Sequence, residues 1–222
     1  KGNISPPKDI SLWTDLVKEF IKHCINRYGL KEVETWHFEV WNEPELEYLF
    51  WAGSKEEYFQ FYQETVLAIK SISPKLKVGG PAIGHGRMLD STWLDDFLIY
   101  CNNNKVPLDF VSTHIYPEYY SLKNIDMDIL HDKSVDELLK ISMEAIKIYH
   151  DKDHTYNTLK TINNKIETIF TYYRPEVHIT EWNASSFFGN LIHDTSYVAT
   201  FIIKNILQCI NTVDSIGYWT FT

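Results

Sequence analysis

Phe38-Glu39-Val40-Trp41-Asn42-Glu43-Pro44 closes an apolar, strand-like segment with a glutamate set directly before a proline. Trp36, Phe38 and Val40 alternate with His37, Glu39 and Trp41, which is the period of a β-strand. Residues 34–42 therefore read as a strand. Pro44 biases the preceding residue towards extended backbone, so the strand is expected to continue through Glu43 to its tip. A second run, Val177-His178-Ile179-Thr180-Glu181-Trp182-Asn183, repeats the arrangement of apolar strand, glutamate, tryptophan and asparagine.

Outward from these two runs the chain alternates helix and strand. Ile10, Trp13, Val17, Phe20, Ile21 and Cys24 recur at helical spacing, and Gly29 stops the helix. Lys55 to Ile72 reads as a helix closed by Pro74, and Leu76 to Ile83 as a glycine-rich strand. Ser91 or Thr92 caps a helix reaching Asn103, and Asp109 to Tyr116 is the next strand. Helices are expected near 134–150 and 156–171, then a strand from Val177 to Glu181. Asp194 or Thr195 caps a helix to Ile210, and Ser215 to Phe221 is the last strand.

Such alternation implies an α/β fold with a parallel sheet and helices outside it. The choices are an open doubly wound sheet or part of a (β/α)8 barrel. Gly79-Gly80-Pro81 with Gly84 and Gly86 is the nearest approach to a phosphate-binding fingerprint, but its proline removes an N–H that such a loop needs. Polar and aromatic residues gather instead where several strands end, and the mouth of a barrel is built there. The expectation is a partial TIM barrel of about five parallel strands. Residues 1–222 form one domain, with no linker or repeat.

Composition narrows the partners. Net charge is −9 over 222 residues, and the basic residues are scattered (Lys18, Lys22, Arg27 and Lys31 around one helix). A phosphate-binding surface needs them clustered, so no nucleic acid is expected. No run approaches ~18 apolar residues, the length of a membrane span. No signal-peptide pattern opens the chain at Lys1-Gly2-Asn3. A cytoplasmic location is the expectation, with secretion as the alternative. Cys24, Cys101 and Cys209 are far apart with apolar neighbours and read as buried thiols.

The chemistry lies in the carboxylates. Cleaving a glycosidic bond takes one acid for the leaving oxygen and one carboxylate facing the anomeric carbon. Glu43 suits the first role, with Trp41 beside it to exclude water and Asn42 to bind a sugar hydroxyl. Glu181, at the end of another strand, suits the nucleophile. Most isolated glutamates are surface residues, but these two each follow an apolar strand and have a Trp and an Asn within two residues. No metal or other cofactor is required, and His178, His193 and His114 lack a convincing ligand spacing along the chain.

Trp41-Asn42-Glu43-Pro44 resembles the acid/base motif of a hydrolase clan whose catalytic glutamates end barrel strands four and seven. Together with Gly2-Asn3-Ile4-Ser5-Pro6-Pro7, Val78-Gly79-Gly80-Pro81-Ala82, Asp109-Phe110-Val111-Ser112-Thr113-His114, Thr180-Glu181-Trp182-Asn183, Ile192-His193-Asp194-Thr195 and Tyr218-Trp219-Thr220-Phe221, it resembles glycoside hydrolase family 39. That family contains β-xylosidases and α-L-iduronidases. The resemblance implies Glu43 as general acid/base, Glu181 as nucleophile and Asn42 as the ligand of a sugar 2-hydroxyl. It also implies His114 and Tyr116 as lining of the sugar site and Trp219 as a stacking platform. His114 could equally be a hydrogen-bonded structural histidine and Trp219 plain core. Trp51, Phe187 and Phe188 could line the cleft or pack locally.

By the same resemblance the strands present are four to eight. Three strands, the final helix and any accessory β-domain have no counterpart, and a sheet with two open edges invites pairing. The rest of a parent chain, or a self-paired oligomer, is expected to complete it. The leading function is retaining hydrolysis of β-xylosidic bonds in small oligosaccharides. A sugar-sensing barrel fused to a transcription regulator, and an α-L-iduronidase-like hydrolase, are the alternatives. The second calls for a cationic pocket, for which Arg87 is the candidate.

Overall fold

The computed structural model describes residues 4–46, 49–84, 92–120, 134, 137, 140, 146–148, 151–187 and 189–220. Arg87, Ser91, Phe188 and Phe221 lie outside them. Helix α1 (Ile10–Tyr28) starts where the Asp9 side chain accepts the N–H groups of Ser11 and Leu12, and it ends at Gly29, whose φ is +88°. Only glycine adopts that backbone without strain. A short helix α2 (Leu30–Val33) leads into strand β1 (His37–Glu39). Helix α3 (Lys55–Lys70) opens with a capping box, Ser54 and Glu57 each satisfying the other's backbone N–H. Then follow β2 (Lys77–Ile83), α4 (Trp93–Asn104) and β3 (Phe110–Ile115). The short β4 (Glu118–Tyr120) and β5 (Ile146–Ile148) precede α5 (His154–Ile169), β6 (Glu176–Trp182), α6 (Ser196–Cys209) and β7 (Ser215–Tyr218).

Five strands form one parallel sheet in the order β1-β2-β3-β6-β7, curled into half a barrel with helices outside. The partial barrel expected from the alternation of elements is what the chain forms. The core lies between sheet and helices. Val78, Val111, Val177 and Ile179 from the strands meet Tyr58, Tyr62, Val66 and Ile69 of α3, Phe97 and Leu98 of α4 and Ile162 of α5. Trp182 is fully buried, stacks on Phe201 of α6 at 4.9 Å and donates its indole N–H to Thr155 Oγ1 of α5 at 3.2 Å. Burial of one such side chain stabilises by about 1.5–3 kcal/mol. The three cysteines are free and buried, as their apolar neighbours indicate.

Two elements differ from the sequence reading. Residues 134–150 read as a helix, and Glu137 and Lys140 are helical. Ile146–Ile148, however, is a strand that pairs antiparallel with β4. Ile-Lys-Ile, with β-branched residues alternating, suits a short pleated pair, and the partner lies in the loop after β3. The first strand is also shorter than 34–42. It ends at Glu39, and the following residues leave regular geometry to build the rim.

Candidate active site

The site is made where strand geometry breaks. Three of the four ladders shift register in their C-terminal halves. Such bulges re-aim side chains at the mouths of barrels. The shift in β6 decides the site. Val177 and Ile179 face the helices and belong to the core, so strict alternation would send Glu181 the same way. Instead Thr113 pairs with Ile179 and His114 with Glu181, leaving Thr180 as an extra residue. The insertion turns Glu181 to the inner face and sends Trp182 into the core. Gly217 of β7 permits this, because a Cβ there would lie 2.8 Å from the Thr180 carbonyl oxygen.

Glu43 reaches the same face by another route. Pro44 does not hold it in an extended conformation. Its φ is +44°, and Trp41 stands at +73°. Left-handed backbone costs roughly 1–3 kcal/mol per non-glycine residue and collects at functional sites. Specific bonds hold it here. The buried Tyr58 hydroxyl donates to the Val40 carbonyl at 2.8 Å, Val40 N–H donates to Gly79 O at 3.0 Å, and Glu43 N–H to Ala82 O at 3.0 Å. Ala82 is itself at φ +55° and is the extra residue of the β2 bulge. The Trp41 ring does not cover Glu43. It packs edge-on against Trp51 and Phe61, at 5.3 Å and 5.5 Å, and its N–H is taken by the Phe50 carbonyl. Trp51 is fully buried in the same aromatic group, so it packs locally and does not line the cleft.

The two glutamates meet around His114. His114 Nδ1 lies 2.7 Å from Glu43 Oε1 and 3.5 Å from Glu181 Oε2. Oxygens of both carboxyl groups and this nitrogen fall within 4.8 Å of one another. His114 is 1 % exposed, and both glutamates are half-buried. The Tyr116 hydroxyl donates to Glu181 Oε2 at 2.9 Å. Burial lifts the Glu181 carboxyl above the usual carboxylate range; His114 and Tyr116 pull it down, and the charges of Glu43 and Glu39 push it up. Burial, with the neighbouring carboxylates, keeps the Tyr116 hydroxyl protonated well beyond the ordinary phenol range.

The other sequence-predicted residues complete the rim. Asn42 is half-exposed beside Glu43. Trp219 is 44 % exposed, so it is not core. Its backbone is fixed at both ends, N–H to Trp182 O at 3.0 Å and carbonyl to Asn183 Nδ2 at 2.7 Å. Two buried carboxylates escaped the sequence reading. Glu45 Oε1 accepts the Gly84 N–H at 2.7 Å, and a Cβ on Gly84 would lie 2.8 Å from Glu43 Oε1. Glu118 accepts Ser185 Oγ and Ser186 N–H, both at 2.9 Å, and ties the loop after β3 to the loop after β6. Glu45 stands two residues after Glu43, a signal that could have found it; nothing local marks Glu118.

Two carboxyl groups this close on one inner rim, with an imidazole between them, can act as proton donor and nucleophile on one bound molecule. Over its whole length the chain is similar to known glycosidases. The β-xylosidase of Geobacillus stearothermophilus is 38 % identical over 222 residues, 100 % of this chain and 40 % of that protein. The β-xylosidase of Caldicellulosiruptor saccharolyticus is 37 % identical over 223 residues and is likewise covered to 40 %. The crystal structure of a monomeric β-xylosidase from Caulobacter crescentus CB15 superposes with a TM-score of 0.79 at 30 % identity, covering 99 % of this chain and 40 % of that one. The chain thus spans about two fifths of the length of these relatives. The family model described as "Glycosyl hydrolases family 39" matches residues 1–222, and the chain belongs to that family.

Proposed function

We propose that this chain carries the acid/base and the nucleophile of a retaining β-xylosidase that acts on small xylo-oligosaccharides. The observation that carries the reading is the meeting of Glu43, His114 and Glu181 within 4.8 Å on the inner rim. Glu181 attacks the anomeric carbon as the bond to the leaving oxygen breaks, and Glu43 gives that oxygen its proton. A glycosyl ester on Glu181 results. Glu43, now a carboxylate, takes a proton from water; the water attacks the same carbon and releases Glu181. Tyr116 holds the nucleophile's carboxylate by its hydroxyl, His114 spaces the two carboxyl groups, and Asn42 and Trp219 offer a hydroxyl ligand and a stacking face.

Neutral Asn and Tyr and the Trp219 face suit an uncharged pentose. The open sheet is completed by the rest of a longer polypeptide or by a second copy of this chain. Edge strands β1 and β7 bound the sheet, and Leu12 and Leu16 of α1 with Ile203 and Leu207 of α6 stand exposed on the flanking helices. The test is a screen of the purified protein, with the remainder of its barrel, against aryl β-xyloside, α-arabinoside and iduronide. Preference for the xyloside is expected. A preference for iduronide, or sugar binding without product release, would overturn the reading.

Ionised Glu181 is the working form, and its carboxyl titrates above the usual range. Activity therefore falls as pH drops through that raised value. Removing the hydroxyl that stabilises the carboxylate raises it further. In Tyr116→Phe the acid limb of the kcat/KM profile is expected to move up by about one pH unit, the value of a hydrogen bond to a charged group.

A further inference from the structure

We propose a divalent transition-metal site of the zinc class at the other end of the sheet, with His37 Nε2, Glu176 Oε2 and His178 Nε2 as its ligands. His37 ends up 2.9 Å and His178 3.1 Å from Glu176 Oε2, and the three donor atoms lie within 4.8 Å of one another. Zinc bound at about 2.0–2.1 Å by imidazole and carboxylate in a tetrahedral shell puts its ligands roughly 3.3 Å apart. The two separations to Glu176 Oε2 already lie within a few tenths of an ångström of that spacing.

The atoms behind the ligands are already held. Lys77 Nζ takes Glu176 Oε1 at 2.5 Å, leaving Oε2 to face the imidazoles. Ser215 Oγ lies 2.7 Å from His178 Nδ1, which fixes that ring with Nε2 forward. Such outer contacts orient metal ligands and set affinity. The buried Phe110 ring packs on both imidazoles, at 5.3 Å from His37 and 5.0 Å from His178, and walls one side. β1 and β6 are separated in the sheet by β2 and β3, so the ion would tie the edge strand across the inner face. Spacing along the chain hides the set, because His37 and Glu176 are 139 residues apart.

The experiment titrates chelator-treated protein with Zn²⁺ by calorimetry and with Co²⁺ by visible absorption. One equivalent is expected at this site, with the intense d–d bands of four-coordinate cobalt and a zinc-dependent rise in Tm. His37→Ala should weaken binding at least about tenfold and abolish the rise in Tm, and a far-ultraviolet circular dichroism spectrum like that of the parent protein shows that the variant is folded. Glu181→Gln should leave the cobalt spectrum unchanged, which separates this site from the Glu43–His114–Glu181 donors. Absence of cobalt bands would mean an ion-pair network only and would overturn the proposal. Bands that survive His37→Ala but vanish in Glu181→Gln would overturn it as well.

Discussion

Glu181→Ala is expected to cut turnover of an aryl β-xyloside by on the order of 10⁴-fold or more, the scale of losing a covalent nucleophile. The folded structure should survive. Glu181 is turned off the core by the β6 bulge, and Trp182, not Glu181, fills the space against Phe201. The shortened side chain opens a small space on the face that Glu181 occupied. Azide can enter there, attack the anomeric carbon directly and displace the aryl group in one step. One displacement inverts the centre, so the product is the α-xylosyl azide. Its configuration is read by proton NMR. Turnover unchanged in Glu181→Ala would remove the nucleophile assignment, whatever the substrate proves to be.

Glu43→Ala should behave differently, because the acid matters only as much as the leaving group needs a proton. General acid catalysis is worth about 10²–10⁴-fold. Xylobiose, whose leaving group is a poor sugar alkoxide, should lose activity on that scale. A dinitrophenyl xyloside, which leaves unaided, should still form the glycosyl ester at close to the normal rate, so a burst is expected before slow hydrolysis. Azide then intercepts the ester from the opposite face and gives the β-azide. The two variants therefore yield azides of opposite configuration. Equal losses on xylobiose and on the dinitrophenyl xyloside would count against Glu43 as the acid. Tyr58, Gly79 and Ala82 hold the turn that carries Glu43 by backbone-directed bonds, so the deletion should leave the neighbouring strands in place.

The site was partly legible before any coordinates. Glu43 and Glu181 each follow an apolar strand and lie beside a tryptophan and an asparagine, and they do come together. The residues alone marked His114 and Tyr116 as polar positions at the end of β3, and the family resemblance as lining of the sugar site, but neither paired them with a particular glutamate. Their contacts with Glu43 and Glu181 span 71 and 65 residues, which no local pattern encodes. Trp41 shows the opposite failure. Its place next to Glu43 in sequence pointed to a shield over the carboxyl, yet a left-handed turn swings its ring onto Trp51 and Phe61. The missed strand at Ile146–Ile148 has the same origin. A three-residue strand takes its identity from the partner it meets, Glu118–Tyr120, rather than from its own period.

Local chemistry written in the chain determined the order of helices and strands, their caps at Asp9, Ser54 and Gly29, the parallel sheet and the two glutamates. Apart from the strand pairing, which joins residues as far apart as Phe110 and Glu176, those features depend on neighbours within one or two turns. Which way Glu181 points was decided only by tertiary structure. Side chains alternate along a strand with a period of two, so a single inserted residue reverses every face after it. By that period Glu181 belongs with Val177 and Ile179 against the helices. The bulge at Thr180, admitted because Gly217 has no Cβ to strike its carbonyl, exchanges Glu181 with Trp182 and sets the carboxylate beside His114.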